Sequence, residues 1–128
     1  MRGLRKSPRP GNRAMTGPEA AWVDAVKRRG CICCDQRGYR VDPRHGEPPA
    51  VEAHHLLSGG IRRGHMHTVG LCLWHHKGRL IVEGWSHAMH RNQLGPALSE
   101  GSVPFAAAFG DDDTLMEKQV AILNRGHA

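Results

Sequence analysis

Apolar residues first recur at helical spacing in the stretch Ala20-Ala-Trp-Val-Asp-Ala-Val26, where Trp22, Val23 and Val26 share one side. Thr16-Gly-Pro-Glu19 just before them has the residues of a capping box. Lys27, Arg28 and Arg29 face solvent in the last turn, where the helix dipole favours cations, and Gly30 ends the helix. Residues 35 to 50 mix charge with turn formers and read as a loop or weak hairpin. Pro48 and Pro49 then deliver an extended chain into Ala50 to Leu57, a strand that Ser58-Gly59-Gly60 breaks. Ile61 to Met66 reads as a basic loop, Thr68 to Leu71 as a second strand, and a helix begins near Cys72. Beyond it the pattern weakens. Residues 77 to 91 show no clean period, and Gly78 and Gly84 argue against a long helix. Residues 92 to 110 form a segment punctuated by Pro and Gly, with Leu94, Leu98, Val103, Phe105 and Phe109 as its core candidates. A last helix opens at Asp111-Asp112-Asp113-Thr114, its acids matched to the helix N-terminus and Met116, Val120 and Leu123 expected on its buried stripe. The fold class predicted is α+β, with two short strands and a helix framed by further helices and much irregular chain.

Composition makes that frame hard to stabilise by burial alone. A chain of 128 residues suits one small domain, yet it carries only six aromatic residues against eight prolines and sixteen glycines. A metal staple would supply what the core lacks. No run of about 18 apolar residues exists, and the basic N-terminus lacks the apolar stretch of a signal peptide, so a cytoplasmic location is expected. In a reducing compartment the four cysteines read as metal ligands rather than disulfides. Cys31 and Cys34 form a Cys-x-x-Cys pair, and Cys72 with His75 repeats the same gap about forty residues later, as two ligand turns on one tetrahedral zinc ion would. Cys33 is spare. The competing interpretation makes Cys72 a buried apolar residue and His75 an ordinary surface histidine.

Six of the ten histidines crowd between Val51 and Gly78, more than one closed site can use. His54-His55 ends the first strand, His65 and His67 lie in the loop, and His75-His76 follows Cys72. The order Cys-x-x-Cys, His-His, Cys-x-x-His-His resembles the HNH, or ββα-metal, endonucleases. The fuller string, His54-His55-Leu-Leu-Ser-Gly-Gly, Arg63-Gly-His65 and Thr68-Val-Gly-Leu-Cys72-Leu-Trp-His75-His76-Lys-Gly, is similar to the phage recombination enhancement function (Ref) branch of RecA-dependent nucleases. Leu94-Gly-Pro-Ala-Leu98, Gly101-Ser102 and Phe105 to Gly110 extend the likeness, which covers roughly residues 18 to 123. The resemblance implies a zinc-stapled ββα-metal core that hydrolyses DNA phosphodiesters, with a RecA filament as partner and phage or prophage recombination as setting.

Carried over residue by residue, the pattern makes His54 a ligand of a catalytic ion and His55 the general base. A neutral imidazole can take a proton from water near neutral pH, which a ligated nitrogen cannot. Adjacent residues on a helix diverge by about 100°, so His75 would face the zinc and His76 the catalytic ion. The asparagine of the HNH pattern is absent here. His65 is the preferred replacement and His67 the alternative. Glu52 shares a strand side with His54, which leaves it as outer-shell partner, extra ligand or plain exposed carboxylate. Mg²⁺ or Mn²⁺ is the expected catalytic ion, with Zn²⁺ or Ni²⁺ also suited to imidazole.

A net charge of +6 and a pI of about 9.7 fit a polyanion such as DNA. Arg62, Arg63 and Lys77 flank the histidines as candidate phosphate contacts, and residues 1–15 read as a basic arm, with Arg2, Arg5 and Lys6 among its cations, before a nuclease domain over 16–128. The arm has no apolar face for a membrane. Two other functions compete: a non-catalytic zinc-stabilised module that binds nucleic acid, and a zinc-stabilised protein-interaction domain. Deleting residues 1 to 13 should weaken DNA binding while leaving the fold intact. The slope of log K against log[salt] should fall by about 0.9 for each duplex phosphate that the arm no longer neutralises, and an unchanged slope would make the arm a bystander.

Overall fold

The computed structural model describes residues 15–39, 51–58 and 61–125; the side chains of Ser58, Ile61 and Arg62 are not described. Much of the proposed arm, with Arg2, Arg5 and Lys6, and the segment 40–50 therefore lie outside the described residues. The chain is α+β. Helix α1 (Gly17–Arg29) starts at the expected capping box, with the Glu19 amide donating to Thr16 Oγ1 and the Thr16 amide to Glu19 Oε1. Its Val23 and Val26 are buried, and Trp22, half-buried, gives its indole N–H to Thr68 Oγ1 at 2.9 Å. Arg29 departs from its solvent-facing neighbours to pair with Asp35 at 3.5 Å. A short helix α2 (Ile32–Gln36) follows at once, its N-cap Cys31.

Strand β1 (Val51–His55) pairs antiparallel with β4 (Thr68–Cys72), in the register Val51↔Cys72 to His55↔Thr68. Every residue of β4 is buried, because α1 and the last helix, α6 (Asp112–Arg125), pack against the sheet as well. Between the two strands the expected loop contains a minimal hairpin, β2 (Leu57–Ser58) with β3 (Ile61–Arg62). Two residues per strand are too few for an alternation to show in sequence, while a pairing of Ser58 with Ile61 needs only hairpin spacing. Cys72 then caps α3 (Leu73–Lys77), which Gly78 ends in the left-handed region at φ 75°.

The C-terminal third is more helical than its pattern predicts. After an irregular stretch, α4 (His87–Leu94), a 3-10 turn (Leu98–Glu100) and α5 (Ser102–Phe109) occupy ground that reads as punctuated coil, while α6 (Asp112–Arg125) is the expected last helix. The prolines and glycines sit at helix ends: Gly95, Gly101 and Gly110 separate the helices, and Pro104 lies in the first turn of α5, where a missing N–H costs nothing. Leu94, Phe105 and Phe109 are core as expected and Leu98 packs partly against it, but Val103 is 80% exposed. On α6 the buried face is Leu115, Gln119 and Ile122, one position off the expected stripe; Met116 and Leu123 flank it and Val120 is exposed. A buried glutamine at the centre of the stripe hides it. Gln119 Oε1 accepts the amide of Gly70 at 2.8 Å and so satisfies a backbone donor of β4 that would otherwise be buried and unpaired. Among the described residues no helix is long and apolar enough to cross a membrane.

At Gly70 β4 passes close against the C-terminal end of α1. A Cβ there would lie 2.6 Å from the Gly30 carbonyl and 3.1 Å from that of Val26, both backbone atoms that cannot rotate away. Gly70→Ala should therefore cost about 1–3 kcal/mol or more, whereas Gly17→Ala, with nothing within 4 Å, should stay within about 0.5 kcal/mol. Urea denaturation midpoints of the two variants test the contrast.

Candidate metal and catalytic centre

Three elements bring the cysteine ligands together. Cys31 and Cys34 come from the start of α2, Cys72 from the end of β4, and His75 from the first turn of α3, all buried. Cys31 Sγ accepts the Cys34 amide at 3.4 Å and Cys72 Sγ the His75 amide at 3.5 Å, so each helix N-cap is also a candidate ligand. The four donor atoms converge, with His75 Nδ1 lying 3.3, 3.5 and 3.3 Å from the sulfurs of Cys31, Cys34 and Cys72, and the Cys34 and Cys72 sulfurs 3.6 Å apart. Tetrahedral zinc, with bonds of about 2.3 Å to sulfur and about 2.0–2.1 Å to nitrogen, holds its ligands about 3.5–3.8 Å apart. The set fits such an ion. His75 Nε2 donates to the Leu94 carbonyl at 2.6 Å, which directs Nδ1 at the sulfurs and adds the outer-shell contact typical of ligating imidazoles.

The charge balance of the cluster points the same way. Burial opposes charge on His75, yet the Cys31 and Cys72 sulfurs outweigh it and push its pKa up to about 10. Burial likewise works against a Cys31 thiolate, but hydrogen bonds from Cys33, Cys34, Cys72 and His75 carry its pKa well below the usual thiol value. Cys34 moves the other way, raised by the sulfurs of Cys31 and Cys72, because a second thiolate beside the first is repelled. A dication removes that repulsion and lets all three sulfurs ionise together. Cys33 is buried beside the cluster but outside the four-ligand group, and burial raises its thiol pKa.

On the other side of α3 lie the remaining histidines. His76 Nδ1 is 2.9 Å from Glu52 Oε1, and Lys77 Nζ donates to the second oxygen of the same carboxylate at 3.1 Å. These two bonds, His76 first, hold the Glu52 carboxyl below its ordinary pKa, so it stays ionised at neutral pH. The His54 and His76 ring centroids are 5.1 Å apart, tilted at 60°. His55 turns to a different partner, its Nε2 3.0 Å from His65 Nδ1, with the rings edge to face. His65 is buried and His67 exposed. The His65 carbonyl accepts from Thr68 Oγ1 at 3.1 Å, and that hydroxyl accepts the Trp22 indole N–H, which fastens the loop carrying His65 to α1.

The structure thus gathers the candidates into a cysteine cluster, a Glu52–His54–His76 group and a His55–His65 pair. Arg63 lies differently from expectation: its guanidinium donates to the Leu57 carbonyl at 2.9 Å and to Asp113 Oδ1 at 2.7 Å. The acids at the start of α6 serve the fold as dipole and cap partners, Asp111 accepting the Thr114 amide and Asp112 the Leu57 amide. His90 is no ligand candidate, since Nε2 accepts the Ile81 and Val82 amides and Nδ1 donates to the Ser86 carbonyl. Sequence reasoning misses Thr68, Trp22 and the Leu94 carbonyl as supports, because Trp22 and Thr68 meet across 46 residues of chain and His75 and Leu94 across 19.

A family model described as recombination enhancement, RecA-dependent nuclease matches residues 15–124. Among curated proteins none matches. The match spans the cysteine cluster and all the histidine groups.

The cysteine geometry separates Cys34 from its neighbour. Cys34→Ser should abolish binding of one zinc per chain and lower the melting temperature sharply, since metal affinity and folding free energy are coupled. Cys33→Ala should keep the zinc and lose only packing. Zinc stoichiometry and thermal melts of both variants check this, and a Cys34→Ser chain that retains zinc would refute the ligand set.

Proposed function

The chain belongs to the recombination enhancement, RecA-dependent nuclease family, and on that premise we propose that it is a metal-dependent endonuclease of the HNH kind, cutting DNA that carries a RecA filament during phage or prophage recombination. The observation that carries this reading is the pairing of His55 Nε2 with His65 Nδ1 at 3.0 Å, beside a separate His54–His76 pair. Two imidazole pairs with different partners suit two jobs, a base and an ion site.

In this reading His55 gives its Nε2–H to His65, so the lone pair falls on Nδ1, which takes the proton from the attacking water. His65 stands where the HNH asparagine would and fixes that tautomer. His54 and His76 supply two donors for a divalent ion and leave the rest of its shell to water and phosphate oxygens, an open site rather than a closed one. When bound, the ion would polarise the scissile phosphate and offset charge on the leaving oxygen. Glu52 accepts from His76 Nδ1, which directs Nε2 outward and makes the carboxylate an outer-shell partner instead of a ligand. Lys77 and Arg62 hold the strand, and Arg63 joins them while keeping its bond to Asp113. Zinc at the cysteine cluster is structural. Mg²⁺ or Mn²⁺ is the working ion, with Zn²⁺ and Ni²⁺ as the imidazole-compatible alternatives.

His55→Ala should fold, retain one zinc and bind DNA with near-normal affinity, yet cut about 10² to 10⁴ times more slowly. His76→Ala should also be inactive and take up the second ion poorly. Nicking of RecA-coated DNA, metal content and melting on the same variants give the answer. A His55→Ala chain that cuts as fast as the parent, or unfolds like Cys34→Ser, removes His55 from the role of base; a parent that binds DNA but never cuts it favours a zinc-stabilised binding module.

A further inference from the structure

Beside His54 a cavity of about 430 Å³ opens between α5 and the start of α6, with Arg63 also on its lining. Its size is that of a small-ligand site. Val103, Phe105, Ala106 and Leu115 give it an apolar part of its lining. The sequence of α5, Ser-Val-Pro-Phe-Ala-Ala-Ala-Phe, has no charge, and it leaves Val103 80% exposed at the rim. Asp111, Asp112 and Asp113 also line it.

We propose that this cavity receives a nucleobase of the DNA strand being cut, from a nucleotide adjoining the scissile phosphate. This rests on the nuclease reading of His54 and its neighbours, and it names what that site reads besides phosphate. The cavity is continuous with His54, so a strand whose phosphate sits at the histidines must place an adjacent nucleoside at its mouth. Three carboxylates exclude the phosphate backbone from the interior by charge. The second oxygens of Asp112 and Asp113, beyond those that hold the Leu57 amide and Arg63, can accept the N–H groups on a base edge, and the apolar lining offers a base face the surface it would otherwise find in the stack. Arg63 marks the border, bound to Asp113 on the cavity side and able to meet a phosphate on the other. A base enters such a cavity only unstacked, which single-stranded or protein-stretched DNA permits at least cost.

The test uses the full chain with RecA-coated oligonucleotides whose cut positions have been mapped, each carrying a single abasic tetrahydrofuran residue at one position flanking the cut. At one such position the abasic residue should lower kcat/KM by about 5- to 100-fold, the range of one missing base–protein stack. Ala106→Trp, which fills the cavity, should lower cleavage of the intact strand by a similar factor and leave the abasic strand unaffected. Val103→Glu, at an exposed position that cannot unfold the helix, should do the same to a smaller degree. Equal cleavage of intact and abasic strands at every position overturns the proposal. So does a loss in both variants that is the same on intact and abasic strands, which would instead assign the cavity to a protein partner. A parent that cuts no strand at all strikes the nuclease reading, not the cavity alone.

Discussion

The convergence of Cys31, Cys34, Cys72 and His75 is the constraint on which the rest depends. These four side chains join the end of α1, through the turn at Gly30 and Cys31, to the end of β4 and the first turn of α3. Without a shared ion, three sulfurs and an imidazole would be packed together with opposing preferences, since one thiolate is favoured and a second is repelled. With one, the cluster becomes the joint from which two short strands and a five-residue helix take their directions. Neither element would hold a shape alone, because a two-stranded ladder and a helix this short are both marginal in water.

The sheet then transmits that direction. The register places Val51 opposite Cys72 and His55 opposite Thr68, so the ladder runs from the cysteine cluster at one end to the His55–His65 pair at the other. Burial of β4 on every residue fixes this register against sliding. Gln119 completes the pairing from α6, and Trp22 and Thr68 complete it from α1, so the catalytic candidates stand on a scaffold closed from both sides.

Legibility follows the range over which each cause acts. The capping box at Thr16 and Glu19, the two-residue ligand gaps and the divergence of His75 and His76 are local, and each can be read in a window of a few residues. The buried stripe of α6 is displaced by one position because Gln119 serves the Gly70 amide, a partner 49 residues away. Val103 reads as core because it is apolar, although nothing in a short apolar helix says which side another helix will cover. The ion pair of Arg63 with Asp113, fifty residues apart, is likewise invisible to any local pattern.

The adjacency of His75 and His76 has a consequence for how such chains can vary. One residue of helix turns the ring that meets the sulfurs into the ring that meets Glu52 and His54. An insertion or deletion between Cys72 and Lys77 would rotate one partner off its target by about 100° with no flanking slack to absorb the error. Length variation is therefore confined to places outside this step, and the interval from Cys72 to His76 acts as a fixed angular ruler between two chemistries.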